Sequence, residues 1–257
     1  MKYSEFWPTE PFSEVIFNCW KLDFQDSSAP PLELELLPDT HASLVYINQP
    51  YFKDMKWMGS QSKNIKVLAI PGSIYAGMRI QPWIDITKTI GDKRSLLNSS
   101  IKLAPAGQDY FMEWGPTELF KGGWNHSIWE GYLNQFIVRQ ELTVSPVIKE
   151  ICNQLLDGVR IKDLSKKIPS SIRPMQKKFL QITGLTMTEF RNINRLEKTV
   201  RIVYNEEENV TNAALTTGYT DHAHFSNDFR KYMDSTIGKF LTRPEHSKPA
   251  SAAGKKE

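Results

Sequence analysis

The chain has 257 residues, 40% of them hydrophobic and 24% charged, with a formal net charge of +3 at neutral pH. That size and balance fit one large or two small globular domains, and no apolar run approaches the ~20 residues that span a bilayer, so no membrane partner is expected. Cys19 and Cys152 are too few for a zinc quartet or a disulfide framework, and a reducing cytoplasm is the expected setting.

The opening stretch, MKYSEFWPTEPF, lacks the apolar core and small-residue cleavage site of a secretion signal. Short apolar runs follow: LELELL (32–37), ASLVYI (42–47), IKVLAIP (65–71) and IYAGMRI (74–80). Each reads as a strand, bounded by the turn signals PD, NQP, PG and QP. Helices are expected to enter after Ile90, and the pattern of residues 90–125 fits more than one state. All seven tryptophans lie between Trp7 and Trp129, so this half is aromatic as well as β-rich. Arg79 sits in a strand pattern and has two readings: a seat for an anionic ligand, or a partner for Asp85 or Asp39. Trp57, Trp83, Trp114 and Trp124 likewise could line a pocket or fill a core. His41 and His126 are the only histidines here, and no H-x-H pair accompanies them, so no metal-bearing barrel is expected. Cys19 reads as a buried strand cysteine.

From about residue 136 the spacing turns helical. Ser145-Pro146 has the form of an N-cap followed by proline at the first helical position. Val147, Ile148, Ile151, Leu155 and Leu156 then make one apolar stripe, and Gly158 ends it. Ile161, Leu164 and Ile168 predict a short helix, with a turn at Pro169-Ser170. Ser171 then caps a second helix with Met175 and Phe179 on one face. Ser170-Ser171 lies in no G-x-S-x-G elbow, and the cap accounts for it. Pro174 falls in the first turn, where its missing N–H is harmless. Arg173, Gln176 and Lys177 point away from the apolar face, and such side chains reach phosphates and base edges.

Gly184 closes that helix. Thr186 to Glu189 forms a capping box, flanked by Leu185 and Phe190 as a staple. Phe190, Ile193, Leu196, Val200 and Val203 continue a stripe, so a helix over 187–204 would be a rod about 27 Å long. Asn209 caps a third short helix with Ala213 and Ala214 on its inner side. Gly218 turns the chain, and Asp221 caps a helix whose Phe225 and Phe229 share a face. His222, Ala223, Ser226 and Asn227 lie largely off that face. His222 and His224 stand two apart and diverge, so they do not pinch a metal. The pattern is a helix-turn-helix, and it occurs twice. The tail SKPASAAGKKE has no apolar residues to bury and is expected to be disordered.

Charge follows the same division. Residues 1–140 carry 13 basic and 15 acidic side chains, residues 158–204 carry 11 and 3, and residues 205–246 carry 4 and 7. The middle stretch, net +8, is either the footprint of a polyanion or a solvated helical face.

Two blocks, DLSKKIPSSIRPMQKKFLQITGLTMTEFRNINRLEKTVRIV and VTNAALTTGYTDHAHFSNDFRKYMDSTIGKF, resemble the DNA-binding domain of AraC/XylS-type bacterial transcription regulators. The second block is the more diagnostic, with Ala214, Gly218, Tyr219, His224-Phe225-Ser226, Phe229 and Arg230 in the family's order; Arg195-Leu196 in the linker is also typical. The resemblance covers roughly residues 145–243. It implies an α+β chain: a β-rich N-terminal domain (1–138), then an all-α domain (139–244) with two helix-turn-helix units on one linker helix, and a tail (245–257). It also implies that helices 171–182 and 222–232 enter adjacent major-groove segments of double-stranded DNA. By position, Arg173, Gln176 and Lys177 fall on the first reading helix, and His222, Ala223 and Asn227 on the second, with His224 and Ser226 near phosphates.

LLPDTHASLVYI and YAGMRIQPW are similar to stretches of the small sensor-type domain that precedes such DNA-binding domains. A small effector, RNA polymerase or a second copy of the chain are the partners this implies, with no cofactor. The sequence departs from the family at Pro169, Ala213, Thr217, Asn227, Asp234 and Ile237, and Glu206-Glu207-Glu208 opposes phosphate approach. Losing buried methylenes at ~0.8 kcal/mol each would thin the second unit's core. The first unit is therefore expected to supply most of the affinity. The competing reading is an enzyme with its active site in the aromatic half and the helical half as a DNA tether; no nucleophile–base–acid set supports it.

Overall fold

The computed structural model describes residues 1–24, 26, 28–103, 126–166, 171–205 and 208–242. The turn at Pro169-Ser170, Trp114, Trp124, Glu206-Glu207 and the tail lie outside those residues.

The N-terminal half is built on a six-stranded antiparallel sheet in the order β1 (Lys2–Phe6), β2 (Ile16–Phe24), β7 (Ser73–Ile80), β4 (Ala42–Gln49), β5 (Phe52–Met58) and β9 (Ser100–Lys102). A two-stranded ribbon pairs β3 (Leu32–Leu36) with β6 (Ile65–Ala69). The pleat sends residues an odd number apart to opposite faces. Cys19 and Met78 therefore enter one core, with Trp57, Ile80 and, from helix α2 (His126–Arg139), Leu133 and Phe136. Leu22 and Tyr75, each three residues away, enter a smaller core with Phe24 and Ala69. The four strands read from the sequence are β3, β4, β6 and β7. Trp57 is a core residue, 1% exposed, and the indole of Trp83 donates to Glu14 O.

A two-residue strand β8 (Ile84–Asp85), a short helix α1 (Thr87–Ile90) and a 3-10 turn (Lys93–Leu96) follow β7. Strand β10 (Thr143–Val144) returns to pair with β8, so the chain enters its helical half from within the first half's structure. Helix α3 (Pro146–Leu156) begins at Pro146 as expected, although the Ser145 side chain makes no cap hydrogen bond. The segment after Gly158 is a 3-10 helix over Ile161–Lys166 rather than an α-helix. Helices α4 (Ile172–Thr183), α5 (Met187–Asn205), α6 (Val210–Thr216), α7 (His222–Met233) and α8 (Ile237–Leu241) complete the described chain. One continuous core runs through all of them, from Ile148 to Phe240.

Candidate nucleic-acid interface

Helix α4 buries Met175, Phe179 and Ile182 and exposes Arg173, Gln176, Lys177 and Lys178. Its buried face rests on α5, where the rings of Phe179 and Phe190 meet edge to face at 5.5 Å. Ser171 occupies the N-cap in extended conformation without a side-chain bond, and Pro174 is the third helical residue. Gly184 ends the helix at φ +76°, in the left-handed region that glycine adopts without a Cβ penalty.

The capping box forms as the sequence predicts: Thr186 N donates to Glu189 Oε2 at 2.7 Å, and Glu189 N donates to Thr186 Oγ1 at 3.1 Å. Helix α5 then runs for 19 residues, about 28 Å at the usual rise. Phe190, Ile193, Leu196 and Val200 are buried along it.

The second unit is tied to this rod by polar contacts that the sequence does not announce. Asn209 caps α6 by accepting from Asn212 N, and Ala213 and Ala214 are fully buried. Thr217, where larger aliphatics are usual in the resembling family, places its hydroxyl 2.6 Å from that of Thr199 on α5 and 3.0 Å from Ala213 O. A satisfied pair of hydroxyls thus occupies part of the seam that methylenes would otherwise fill. Arg195 lies over the Tyr219 ring at 3.9 Å and reaches Asp228 Oδ2 on α7 at 2.9 Å. Burial raises the Tyr219 phenol to about 12, so it stays neutral beneath the guanidinium. Residues 195 and 228 are far apart in sequence, and no local period links them; Arg195 was legible only as a linker residue.

Helix α7 begins at Asp221, whose side chain accepts from His224 N at 2.7 Å. That backbone hydrogen bond holds the Asp221 carboxyl below its usual range. Phe225 and Phe229 are fully buried. His222, Ala223 and Asn227 are exposed, while His224 and Ser226 are half-buried. His224 Nδ1 lies 3.1 Å from Thr220 Oγ1, and His222 Nδ1 lies 3.4 Å from Ser226 Oγ. Asp228, four residues after His224, is engaged by Arg195 instead. Among the described residues no group of three or more His, Cys, Asp or Glu is placed to hold a metal. Two helices, each with an apolar back and an open polar front, therefore stand on one rod.

Residues 164–243 match the family described as "Helix-turn-helix domain". They form an AraC-type helix-turn-helix domain. Among curated proteins, the chain is 33% identical over 73 residues to the HTH-type transcriptional activator RhaS of Citrobacter koseri, covering 28% of this chain and 26% of that protein. It is 26% identical over 102 residues to the probable transcription factor PqrA of Proteus vulgaris, covering 39% of this chain and 84% of that one. The match thus spans about a quarter of RhaS but most of PqrA. Among solved structures, ToxT of Vibrio cholerae aligns over 94% of this chain and 98% of its own, with 11% identity and a TM-score of 0.46. The AraC-type domain accounts for the region in which both candidate reading helices lie. No helix among the described residues is long and apolar enough to cross a membrane.

Proposed function

We propose that the protein is a sequence-specific DNA-binding transcription regulator whose α4 and α7 read adjacent major-groove segments of double-stranded DNA. The observation that carries this reading is the shared mounting of two open polar helix faces on the single core of α5. Arg173, Gln176 and Lys177 are assigned to the first contact; His222, Ala223 and Asn227 to the second, with His224 and Ser226 toward the backbone. Residues 1–138 are the regulatory part. The AraC-type match and the regulator relatives support the assignment.

The two contacts are unequal. Residues 158–204 carry a net +8 and residues 205–246 a net −3, so phosphate neutralisation belongs mainly to the first unit. Genomic fragments bound by the purified full chain at ~150 mM salt, in excess nonspecific competitor, supply the test sites. On those sites Lys177→Ala should weaken binding across all sequences and lower the salt slope by about 1. Asn227→Ala should cost less overall and relax preference within one half-site. A larger affinity loss for Asn227→Ala than for Lys177→Ala at matched salt would overturn the ranking, and no enrichment of any fragment would overturn the function.

A further inference from the structure

The N-terminal half touches both reading helices at once, and it does so at their C-terminal ends. The segment between β5 and β6 reaches both helices, and the 3-10 turn Lys93–Leu96 adds contacts to the first. Ser60, 1% exposed, sets its hydroxyl 2.9 Å from Thr183 O, the last carbonyl of α4, and 3.1 Å from Thr40 O. Four residues on, Asn64 N donates to Tyr232 O in the last turn of α7 at 2.9 Å. Arg94, from the neighbouring 3-10 turn, donates to Gly184 O at 3.1 Å and reaches Glu189 Oε2 in the α5 capping box at 3.3 Å. Asn194 of α5 lies 3.4 Å from Thr40 Oγ1.

The backbones are close as well. A Cβ on Gly184 would stand 3.0 Å from Lys93 O, and a Cβ on Gly59 would stand 2.1 Å from Leu96 O. Ser60 O in turn accepts from Asn98 N, and Gln61 pairs with Asp39 through both backbone groups, so residues 59–64 are themselves held on two sides. The last carbonyls of a helix have no partner within it and need one from outside. Here another domain supplies donors to the ends of both reading helices.

We propose that residues 59–64, with Arg94, form a brace through which the N-terminal half fixes the placement of α4 relative to α7. The brace grips the helix ends and leaves Arg173, Gln176, Lys177, His222, Ala223 and Asn227 exposed. It therefore sets geometry and does not mask the reading faces. Its consequence for DNA, which rests on the function proposed above, is that the N-terminal half selects the spacing between half-sites. A change in the first half that shifts this segment shifts the operator spacing the protein accepts.

The decisive experiment needs no DNA. Lys178→Cys and Arg230→Cys place spin labels on exposed positions of the two helices, and the native Cys19 and Cys152 are fully buried. Pulsed electron spin resonance on the full chain should give one narrow distance. Ser60→Ala and, separately, Arg94→Ala at a partly exposed site should broaden or split it. An unchanged distribution in folded Arg94→Ala and Ser60→Ala proteins would overturn the brace whether or not the protein binds DNA. On selected sites, without labels, one inserted base pair between half-sites should weaken the parent protein roughly tenfold and the two variants much less. Equal sensitivity in all three would remove the spacing role; failure of the parent to bind any site would instead count against the proposed function.

Discussion

Lys93 shows what a single residue contributes where the two halves meet. It is 1% exposed, and its ammonium donates to Ile84 O at 2.9 Å. Burial pulls its pKa from 10.5 down to about 7, with Asp85 opposing the fall. Unfolded, the group keeps its proton up to about pH 10.5; folded, it gives the proton up near pH 7. Unfolding therefore takes up a proton between those values, and stability rises with pH across that window. Below about pH 7 both states are protonated and the penalty is complete. Relative to Lys93→Met, the parent protein should gain up to about 1 kcal/mol per pH unit between pH 7.5 and 9.5 in urea unfolding. A difference that stays flat across that range would mean the ammonium is not desolvated as described. The cluster of Asp39, His41 and Arg79 is the contrasting case. Burial alone would raise Asp39, but Arg79 at 2.8 Å and His41 at 2.7 Å outweigh it and hold the carboxylate well below its usual range. Arg79 is thus committed to Asp39, one of the two partners its sequence position suggested, and Asp85 caps Thr87 instead. Glu197 of α5 is raised by burial and by Asp39, so this charge cluster extends to the linker helix.

At the scale of elements, the ties between α5 and α7 decide how firmly the second reading helix is aimed. Arg195 and Asp228 have side chains 18% exposed each, and the guanidinium also stacks on Tyr219. Arg195→Ala should cost about 1–2 kcal/mol of stability in thermal or urea unfolding. It should also weaken recognition of the half-site read by α7 more than that of the other half. Arg195→Lys keeps the charge without the planar stack and should recover only part of either effect. Equal loss at both half-sites would reduce Arg195 to a general stabiliser.

Helices α4 to α7 were legible because each carried its own punctuation: the Thr186–Glu189 box, Asn209, Asp221, Gly184 and Gly218 all sit where local rules place them. The short helices α1 and α8 were not read, and α1 precedes Ile90, after which helices were expected. Strands β3, β4, β6 and β7 were legible as apolar runs between turns. Strands β1, β2 and β5 were not. In β2, Ile16, Asn18, Cys19, Leu22 and Phe24 are all buried because the strand has cores on both faces, so it shows neither clean alternation nor a continuous apolar run. In β5 the signal was present, with buried Met55 and Trp57 alternating with Asp54 and Lys56, but the charged residues diluted it. Among site residues, the exposed faces of α4 and α7 could be read from helical spacing. The Thr199–Thr217 and Arg195–Asp228 contacts could not, because each joins positions that only the tertiary fold brings together.

At the scale of the whole molecule, the division of labour follows charge and packing together. The basic stretch coincides with α4 and the rod, the acidic balance with the second unit, and the N-terminal half caps the C-terminal ends of α4 and α7. On the proposed function, one chain presents both reading helices, so a bipartite site needs no second copy. The most direct measurement is to repeat the fragment selection with Gln176→Ala and with Asn227→Ala beside the parent protein. The parent should enrich a motif whose halves lie about one helical turn, ~10 base pairs, apart. Gln176→Ala should erase sequence information in one half and Asn227→Ala in the other. Loss in the same half, or no loss in either, would contradict a protein that reads DNA with both helices.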